Sequence, residues 1–151
     1  MGKRQRTNHQ VKKMLKKMHG KVVERLFENP TELGISETNL VLKLKEPKEK
    51  GKEIGDLIFV EDKEERTVIH LFEVKVGLRQ VKKGIWQLKL SRKFFEKNWR
   101  RWLLRKLKVK IKKGKPVYLI TCLLLCSFLA GVKDWIVRKD TYFLGKFIFY
   151  L

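Results

Sequence analysis

Apolar residues recur at helical spacing near the N-terminus, and this pattern predicts an amphipathic α-helix. The helix is expected to end at Asn29-Pro30, because the residue before a proline disfavours the helical backbone. Residues 1–8 are polar and basic, which predicts a flexible arm ahead of the helix. The apolar stripe comprises Val11, Met14, Leu15, Met18, Val22 and Leu26.

Two apolar, β-branched runs in the middle of the chain flank the polar segment 62–67, which predicts a β-hairpin. With the turn centred midway through this segment, Asp56 lies opposite Glu73 on the paired strand. This register is a hypothesis, since a slip of one residue would turn Asp56 to the other face of the sheet. A short strand over 39–44 and a charged loop over 46–52 are predicted ahead of the hairpin.

A second long helix is predicted over 85–108, where apolar residues again recur among basic ones. Trp86 belongs to its apolar set and is expected in the core. Trp99 and Trp102 lie among lysines and arginines, and the pattern leaves two interpretations open. They pack in the core, or they stack on exposed bases of a nucleic acid.

The segment 117–132 contains sixteen residues without a charge. A membrane-spanning helix needs about 20 apolar residues, so the run predicts a buried strand over 117–124 that continues into a second packed element. A membrane or interfacial role is the less favoured alternative. The aromatic segment 142–150 predicts a last strand or an apolar patch for a partner subunit.

Length and charge set the class of protein. A chain of 151 residues suits one domain with a real core, and the elements predict an α/β fold with a mixed central sheet flanked by helices. The formal net charge is +21, from 37 Lys+Arg against 16 Asp+Glu. Such an excess favours nucleic acid as the partner, although an anionic membrane surface or a ribosome would also explain it.

Cysteines and histidines give no sign of a zinc site. Cys122 and Cys126 have no further ligand at suitable spacing, which predicts buried free thiols in a reducing compartment. The basic N-terminus lacks the apolar segment of a secretory signal, so we expect a cytoplasmic protein of a prokaryotic or archaeal cell, or of the host of a virus or plasmid. His9 and His19 are predicted at the surface, and His70 at the sheet surface with its polar atoms satisfied.

The two predicted apolar strands of the hairpin contain charged residues at their open end. These are Asp56 before the first strand and Glu73 and Lys75 in the second. Residues i and i+2 of a strand share a face, so Glu73 and Lys75 project together. Directly opposed residues of paired strands have Cβ atoms about 4.5–5.5 Å apart, and two carboxylates that close repel unless a cation lies between them. Mg²⁺ or Mn²⁺ fits this oxygen-rich setting. The alternative is an exposed cross-strand pair that arises by chance in a charge-rich chain.

This combination resembles the PD-(D/E)XK nuclease superfamily, in which an Asp opens one hairpin strand and the next strand carries Glu-x-Lys. The matching positions are Asp56, Glu73 and Lys75, with Gly55 where the family often has Pro. The resemblance implies a restriction-endonuclease-like fold and a metal-dependent DNA endonuclease that leaves 5′-phosphates. Asp56 and Glu73 would hold the metal together with the backbone carbonyl of Val74.

Two further segments resemble members of this superfamily. The segment Gly20-Lys21-Val22-Val23-Glu24-Arg25 is similar to the Gly-x-x-x-Glu-Arg helix of archaeal Holliday junction resolvases. It implies Glu24 as a catalytic residue and metal ligand. Gln87 lies in a segment similar to the Gln-bearing helix of resolvase-like and RecB-like members, which makes it a catalytic candidate. A resolvase acting on branched DNA would be a homodimer, and the apolar C-terminal third could form its interface.

Basic residues before and along the second predicted helix are the candidate DNA contacts. A non-catalytic nucleic-acid-binding protein and a membrane-surface protein are the alternative functions. No small-molecule cofactor is expected. The candidate DNA-contacting residues are Arg79, Lys82, Lys83, Arg92, Lys93, Arg100 and Arg101.

Overall fold

The computed structural model describes residues 2–107, 114–126 and 136–147, in two long helices and seven strands. Short 3₁₀ helices cover Pro30–Leu33, Glu37–Asn39 and Leu78–Gln80. The main elements in chain order are α1 (Gly2–Glu28), β1 (Leu40–Lys45), β2 (Lys48–Glu49), β3 (Lys52–Glu53), β4 (Leu57–Asp62), β5 (Thr67–Val76), α2 (Val81–Lys106), β6 (Pro116–Cys126) and β7 (Ile136–Lys146).

A five-stranded mixed sheet forms the centre, with the strand order β1-β4-β5-β6-β7. The pairs β1–β4, β4–β5 and β6–β7 are antiparallel, and β5–β6 is parallel. Parallel neighbours need a crossover connection, and α2 provides it between β5 and β6. The small hairpin β2–β3 is separate from this sheet. The predicted α/β class with a mixed sheet is confirmed.

Each helix covers one face of the sheet. On the first face, Val23 and Leu26 of α1 share a buried cluster with Leu57 of β4. On the other face, Phe95 and Trp102 of α2 share a buried cluster with the alternate residues of the strands, such as Ile58 of β4. Both faces of β4 and β5 are therefore buried, which explains why their sequences read as continuous apolar runs.

The central hairpin has the predicted register. Asp62 pairs with Thr67 at its turn, and Leu57 pairs with Phe72 at its other end. Asp56 and Glu73 are the next positions along the two chains, and the Asp56 N–H donates to the Phe72 carbonyl at 3.0 Å. The carboxylates that the sequence placed opposite each other therefore lie together at the open end of the hairpin.

Two glycines allow close packing around this end of the hairpin. A Cβ atom on Gly84 of α2 would lie 2.6 Å from Leu123 Cδ1 and 3.1 Å from Lys75 Cγ. A Cβ atom on Gly55 would clash with Leu71 Cδ1. Gly84 lets α2 approach β5 and β6, while Gly55 lets the chain before Asp56 run against β5.

The element boundaries differ from prediction at three places. Residues 2–8, predicted as a flexible arm, are helical in α1, since lysine, arginine and glutamine favour helix without an apolar stripe. Helix α2 begins at Val81 rather than at residue 85. Strand β7 begins at Ile136 rather than at residue 142, because the charged segment 138–140 interrupts its apolar pattern.

The tryptophans of α2 are placed differently from expectation. Trp86 is 59% exposed, so its predicted core position is wrong. Trp99 and Trp102 are buried, which confirms the core interpretation and excludes base stacking by these two side chains. The stripe that faces the sheet runs through Leu88, Phe95, Trp99 and Trp102, and Trp86 lies outside its helical spacing.

Strand β6 accounts for the described part of the uncharged run. It lies between β5 and β7, and both of its cysteines, Cys122 and Cys126, are buried free thiols as predicted. The predicted continuation over 127–132 lies outside the described residues, as do 148–150 of the last predicted strand. None of the described helices is long and apolar enough to cross a membrane.

Candidate active site

Asp56 is fixed by two contacts at the entrance to β4. Its side chain is 8% exposed. Oδ2 accepts the backbone N–H of Val74 at 2.7 Å and lies 3.3 Å from Nε2 of His19. The carboxylate therefore links the end of β4 to β5 and to α1, the helix on the first face of the sheet.

Glu73 and Lys75 lie on β5 as the two-residue period requires. The Glu73 side chain is 8% exposed and that of Lys75 is 15% exposed, with Lys75 Nζ 3.9 Å from Glu73 Oε2. The aliphatic part of Lys75 passes over Gly84 of α2. The structure thus brings Asp56, Glu73 and Lys75 together, and it keeps the lysine largely buried beside the acids.

The two acids have opposite pKa shifts. Burial, the charge of Asp56 and a hydrogen bond with it raise the pKa of Glu73 to about 9. Burial also tends to raise the pKa of Asp56, but hydrogen bonding with His19 and with the Val74 N–H outweighs it and lowers that pKa. At neutral pH the metal-free pair therefore holds one proton, on Glu73.

This pair suits a hard divalent cation. Two buried carboxylates that cannot both ionise alone are stabilised when positive charge compensates them. The donors are oxygen atoms, which Mg²⁺ and Mn²⁺ prefer. Asp56 and Glu73 therefore fit the metal that the resemblance implies. Within the described ranges, however, no three His, Cys, Asp or Glu side chains already converge as a metal-binding group.

His19 is the site residue that sequence reasoning missed. Its predicted surface position is wrong, because its side chain is only 27% exposed and contacts Asp56. Hydrogen bonding to Asp56 raises the pKa of His19 against the lowering effect of burial. A signal was present in the sequence: His19, Val23 and Leu26 follow helical spacing, and the latter two are fully buried. This spacing places His19 on the sheet-facing side of α1.

Glu24 does not join the carboxylate pair in this structure. Its side chain is 47% exposed and forms an ion pair with Lys45 of β1, and hydrogen bonding to Lys45 lowers its pKa. Glu24 is five positions after His19, so the two side chains point about 140° apart around a helix of 3.6 residues per turn. The role that the resemblance implies for Glu24 stays a prediction, and the α1 side chain that contacts Asp56 in this structure is His19.

Gln87 lies beside Glu73 in the lining of a cleft of about 720 Å³. Its Oε1 is buried and has no hydrogen-bond partner. Its catalytic role stays a prediction, and the structure shows that it shares this lining with Glu73. The cleft runs between α2 and the β2–β3 hairpin. Its lining comprises Glu49, Lys50, Lys52, Glu53, Ile54, Glu73, Trp86, Gln87, Leu90, Ser91, Phe94, Asn98, Arg101, Trp102 and Arg105.

The structure places the predicted DNA-contacting residues in different settings, and their contact with DNA stays a prediction. Arg101 lines the cleft. Arg92 pairs with Glu96 at 2.7 Å and lies 3.7 Å from the centre of the Tyr142 ring on β7, so it has a structural role. Arg100 lies over Trp99, 4.9 Å from the ring centre. The remaining four, Arg79, Lys82, Lys83 and Lys93, are exposed before and within the first half of α2.

The predicted loop over 46–52 also contributes to the cleft. It folds as the β2–β3 hairpin and supplies Lys50 and Lys52, two basic residues absent from the predicted set. Arg105 of α2 is a third such residue, and its guanidinium pairs with Glu49 at 2.6 Å. Lysines and arginines are so frequent in this chain that sequence alone could not select these positions.

Comparisons with known proteins gave no match. No protein-family model matches the chain, and no curated protein or solved structure shows significant similarity to it.

Proposed function

We propose that this protein is a metal-dependent nuclease that hydrolyses phosphodiester bonds at Asp56, Glu73 and Lys75. The observation that carries the proposal is the buried carboxylate pair at the open end of the hairpin, with Lys75 Nζ 3.9 Å from Glu73. Buried charges are costly unless they are paired or bind a metal. The chain that holds them has a net charge of +21, which suits a polyanionic substrate.

The chain topology supports a restriction-endonuclease-like fold. A helix precedes three antiparallel strands, and a second helix crosses over to a parallel fourth strand. This order agrees with the resemblance carried by Asp56, Glu73 and Lys75. The acids lie where the hairpin opens, between the two helices that cover its faces.

The proposed division of labour follows from the contacts. Asp56 and Glu73 would hold Mg²⁺ or Mn²⁺, with the Val74 carbonyl as a further ligand implied by the resemblance. The bound cation would supply positive charge against the charge that develops on the phosphate. Lys75 would orient the attacking water or offset charge on the phosphate. His19 is a positioning residue, because it holds the Asp56 carboxylate together with the Val74 N–H.

A branched DNA substrate and a homodimer remain part of the proposal. Two symmetric nicks in a four-way junction require two sites related by a twofold axis. Strand β7 is an edge of the sheet and carries exposed apolar residues, including Ile136, Val137 and Phe143. Strand β1 is the other edge of this sheet, and the exposed apolar residues of β7 make its edge the one that we propose for pairing with a second copy. The resemblance implies that cleavage leaves products with 5′-phosphates. The proposed location of the enzyme is the cytoplasm.

A non-catalytic nucleic-acid-binding protein is the second candidate. It is favoured by the wide distribution of exposed basic residues and by the lack of a convergent three-ligand group in the described chain. It predicts salt-sensitive binding that Mg²⁺ does not change. A membrane-surface role receives less support, because the described part of the uncharged run lies inside the sheet as β6.

Cleavage assays separate the two candidates. Labelled four-way junction, linear duplex and single strand are incubated with Mg²⁺ or with EDTA. Asp56→Asn is expected to abolish cleavage and to leave DNA binding largely intact. Asp140→Asn is the matched control, because Asp140 is a β7 acid paired with Arg138 away from the site. Cleavage that survives in Asp56→Asn would refute the proposed site.

A further inference from the structure

The cleft beside Glu73 contains unsatisfied polar atoms at its floor. In the described part of the chain, two buried side-chain polar atoms lack a hydrogen-bond partner, Gln87 Oε1 and Trp102 Nε1. Both residues line this cleft. Buried polar groups are almost always paired, so this acceptor and this donor are free to bond to a polar ligand or to water that reaches them from the cleft.

An exposed aromatic face lies next to these atoms. Trp86 is 59% exposed and Leu90, one helical turn further, is 46% exposed. Phe94 continues the same row into the cleft. Phe94 also packs against the buried cluster between α2 and the sheet, whereas exposed apolar side chains grouped on one helix face, such as Trp86 and Leu90, mark a binding surface. Tryptophan is also the residue that offers the largest flat face for stacking.

The cleft is long and bordered by basic residues. The lining on α2 extends from Trp86 to Arg105, which corresponds to about 29 Å at a rise of 1.5 Å per residue. Arg101 lies on the same helix, and Lys50 and Lys52 border the opposite side. The lining also contains Glu49, Glu53 and Glu73, and Glu49 pairs with Arg105. Basic side chains beside an aromatic platform are the arrangement that tracks a single nucleic-acid strand.

We propose that this cleft binds an unpaired segment of the substrate strand, with one base stacked on Trp86 and hydrogen-bonded to the Gln87 amide. Arg101, Lys50 and Lys52 contact the phosphates of the same strand. The proposal deepens the proposed function and rests on it, since Glu73 of the proposed site lines the same cleft. It specifies the substrate class as nucleic acid with unpaired nucleotides next to the scissile phosphate.

An unpaired strand fits this cavity better than a duplex. Bases inside a duplex present only their edges, in the grooves. Unpaired bases can be splayed out, and then their faces are free to stack on an aromatic side chain. Trp86 presents the flat face of its indole ring, and the Gln87 amide is the next residue along the helix. This pair suits an unstacked base, which exposes its own flat face, and does not suit the base edges in the groove of a duplex.

Binding measured without cleavage tests the proposal. Fluorescence anisotropy in EDTA compares labelled oligothymidylate of about 16 nucleotides with a blunt duplex of the same length. Trp86→Ala is expected to weaken binding of the single strand by about 5- to 100-fold, because one base–aromatic stack is lost. Duplex binding is expected to remain unchanged. Trp86→Phe keeps an aromatic face and should retain most of the affinity.

Phe143→Ala is the matched control, because Phe143 is an aromatic residue of β7 that is 58% exposed and lies outside the cleft lining. Thermal melting of each variant verifies the fold. Unchanged single-strand binding in Trp86→Ala, or an equal loss for single strand and duplex, would overturn the proposal. The two proposals fail separately. Metal-dependent cleavage with no effect of Trp86 refutes only the cleft, and Trp86-dependent binding without any cleavage refutes only the nuclease.

Discussion

Nε2 of His19 lies 3.3 Å from Oδ2 of Asp56, the oxygen that also accepts the Val74 N–H. One carboxylate oxygen thus joins the helix on one face of the sheet to the two central strands. Side chains that orient a metal-binding or reacting carboxylate fix its rotamer in advance of binding. The contact gives α1 a direct part in the geometry of the proposed site.

Replacing His19 tests this positioning role. His19→Ala is expected to reduce the rate of cleavage by about 10- to 100-fold, the range for residues that orient a metal ligand. His19→Asn, which keeps a hydrogen-bonding side chain, should recover part of the rate. Measuring kcat, KM and the dependence of the rate on Mg²⁺ concentration shows whether the loss lies in metal affinity or in substrate binding.

His9→Ala is the control for this substitution, because His9 lies on the same helix and is exposed. Its cleavage should equal that of the unmodified protein. A loss in His19→Ala that follows thermal stability, and that higher Mg²⁺ concentration does not restore, would indicate a purely structural role for His19.

The sequence predicted the hairpin register because burial on both faces leaves little choice. A slip of one residue would exchange the apolar residues that pack against α1 with those that pack against α2, and it would move Asp56 away from Glu73. The pairing of Leu57 with Phe72 confirms that register. The central site acids were therefore readable from two strands and their connection.

The helical contributions were harder to read. In α1, both His19 and Glu24 are candidates for contact with the site acids. The rotation of the helix about its axis decides which one reaches them, and in the structure His19 contacts Asp56 while Glu24 pairs with Lys45. In α2, Trp86 and Trp102 are both apolar and would both be assigned to the buried face from residue type alone. In the structure Trp86 is exposed and Trp102 is buried. The β2–β3 hairpin faces α2 through a tertiary contact that no local pattern encodes.

Glu73 makes the metal-free protein less stable at high pH. Its pKa is about 9 in the folded protein, above the value near 4.3 of an unperturbed glutamate. The folded state therefore prefers the protonated acid, and the stability that this proton provides is lost as pH rises between these two values. Glu73→Gln is expected to keep that stability at all pH values, because glutamine stays neutral.

Thermal melting in EDTA from pH 5 to pH 9 measures this effect. Around pH 8, about 3.7 units above the unperturbed pKa, the Glu73→Gln variant should be more stable by up to about 5 kcal/mol, or about 10–20 °C in Tm. Adding Mg²⁺ should raise the Tm of the unmodified protein and have little effect on the variant. Glu96→Gln, which changes an exposed acid paired with Arg92, should melt like the parent. Parallel pH curves for parent and Glu73→Gln would contradict the assignment.

His70 should give the protein an acid-sensitive step of its own. Nε2 lies 2.5 Å from Glu61 Oε1 within the sheet, so its polar atoms are satisfied as predicted, although the residue is buried. Burial lowers the pKa of His70 despite the raising effect of Glu61. Stability is therefore complete above the unperturbed pKa of about 6.5 and decreases as pH falls below it.

His70→Gln is expected to flatten the stability curve below that pH, at the cost of part of the Glu61 contact. Denaturant unfolding at pH 5 and pH 7.5 provides the comparison, with His9→Gln as an exposed control. An unchanged loss of stability between the two pH values in His70→Gln would assign the acid sensitivity to other groups.

Gly84 and Gly20 offer opposite outcomes for the same substitution. A Cβ atom on Gly84 would lie 2.6 Å from Leu123 Cδ1 and 3.1 Å from Lys75 Cγ, whereas nothing lies within 4 Å of one on Gly20. Both glycines are inside helices, where alanine is favoured by about 1 kcal/mol. Gly20→Ala should therefore stabilise the protein, while overpacking should make Gly84→Ala less stable by about 1–3 kcal/mol.

The position of Lys75 separates this effect from simple destabilisation. Because the new methyl group would crowd Lys75 Cγ as well as Leu123 Cδ1, Gly84→Ala should displace the lysine and lower the rate of cleavage even at temperatures where the variant is fully folded. Chemical denaturation gives the stability and single-turnover assays give the rate. Full activity in a destabilised Gly84→Ala would show that close packing of α2 serves the core alone and does not position the lysine.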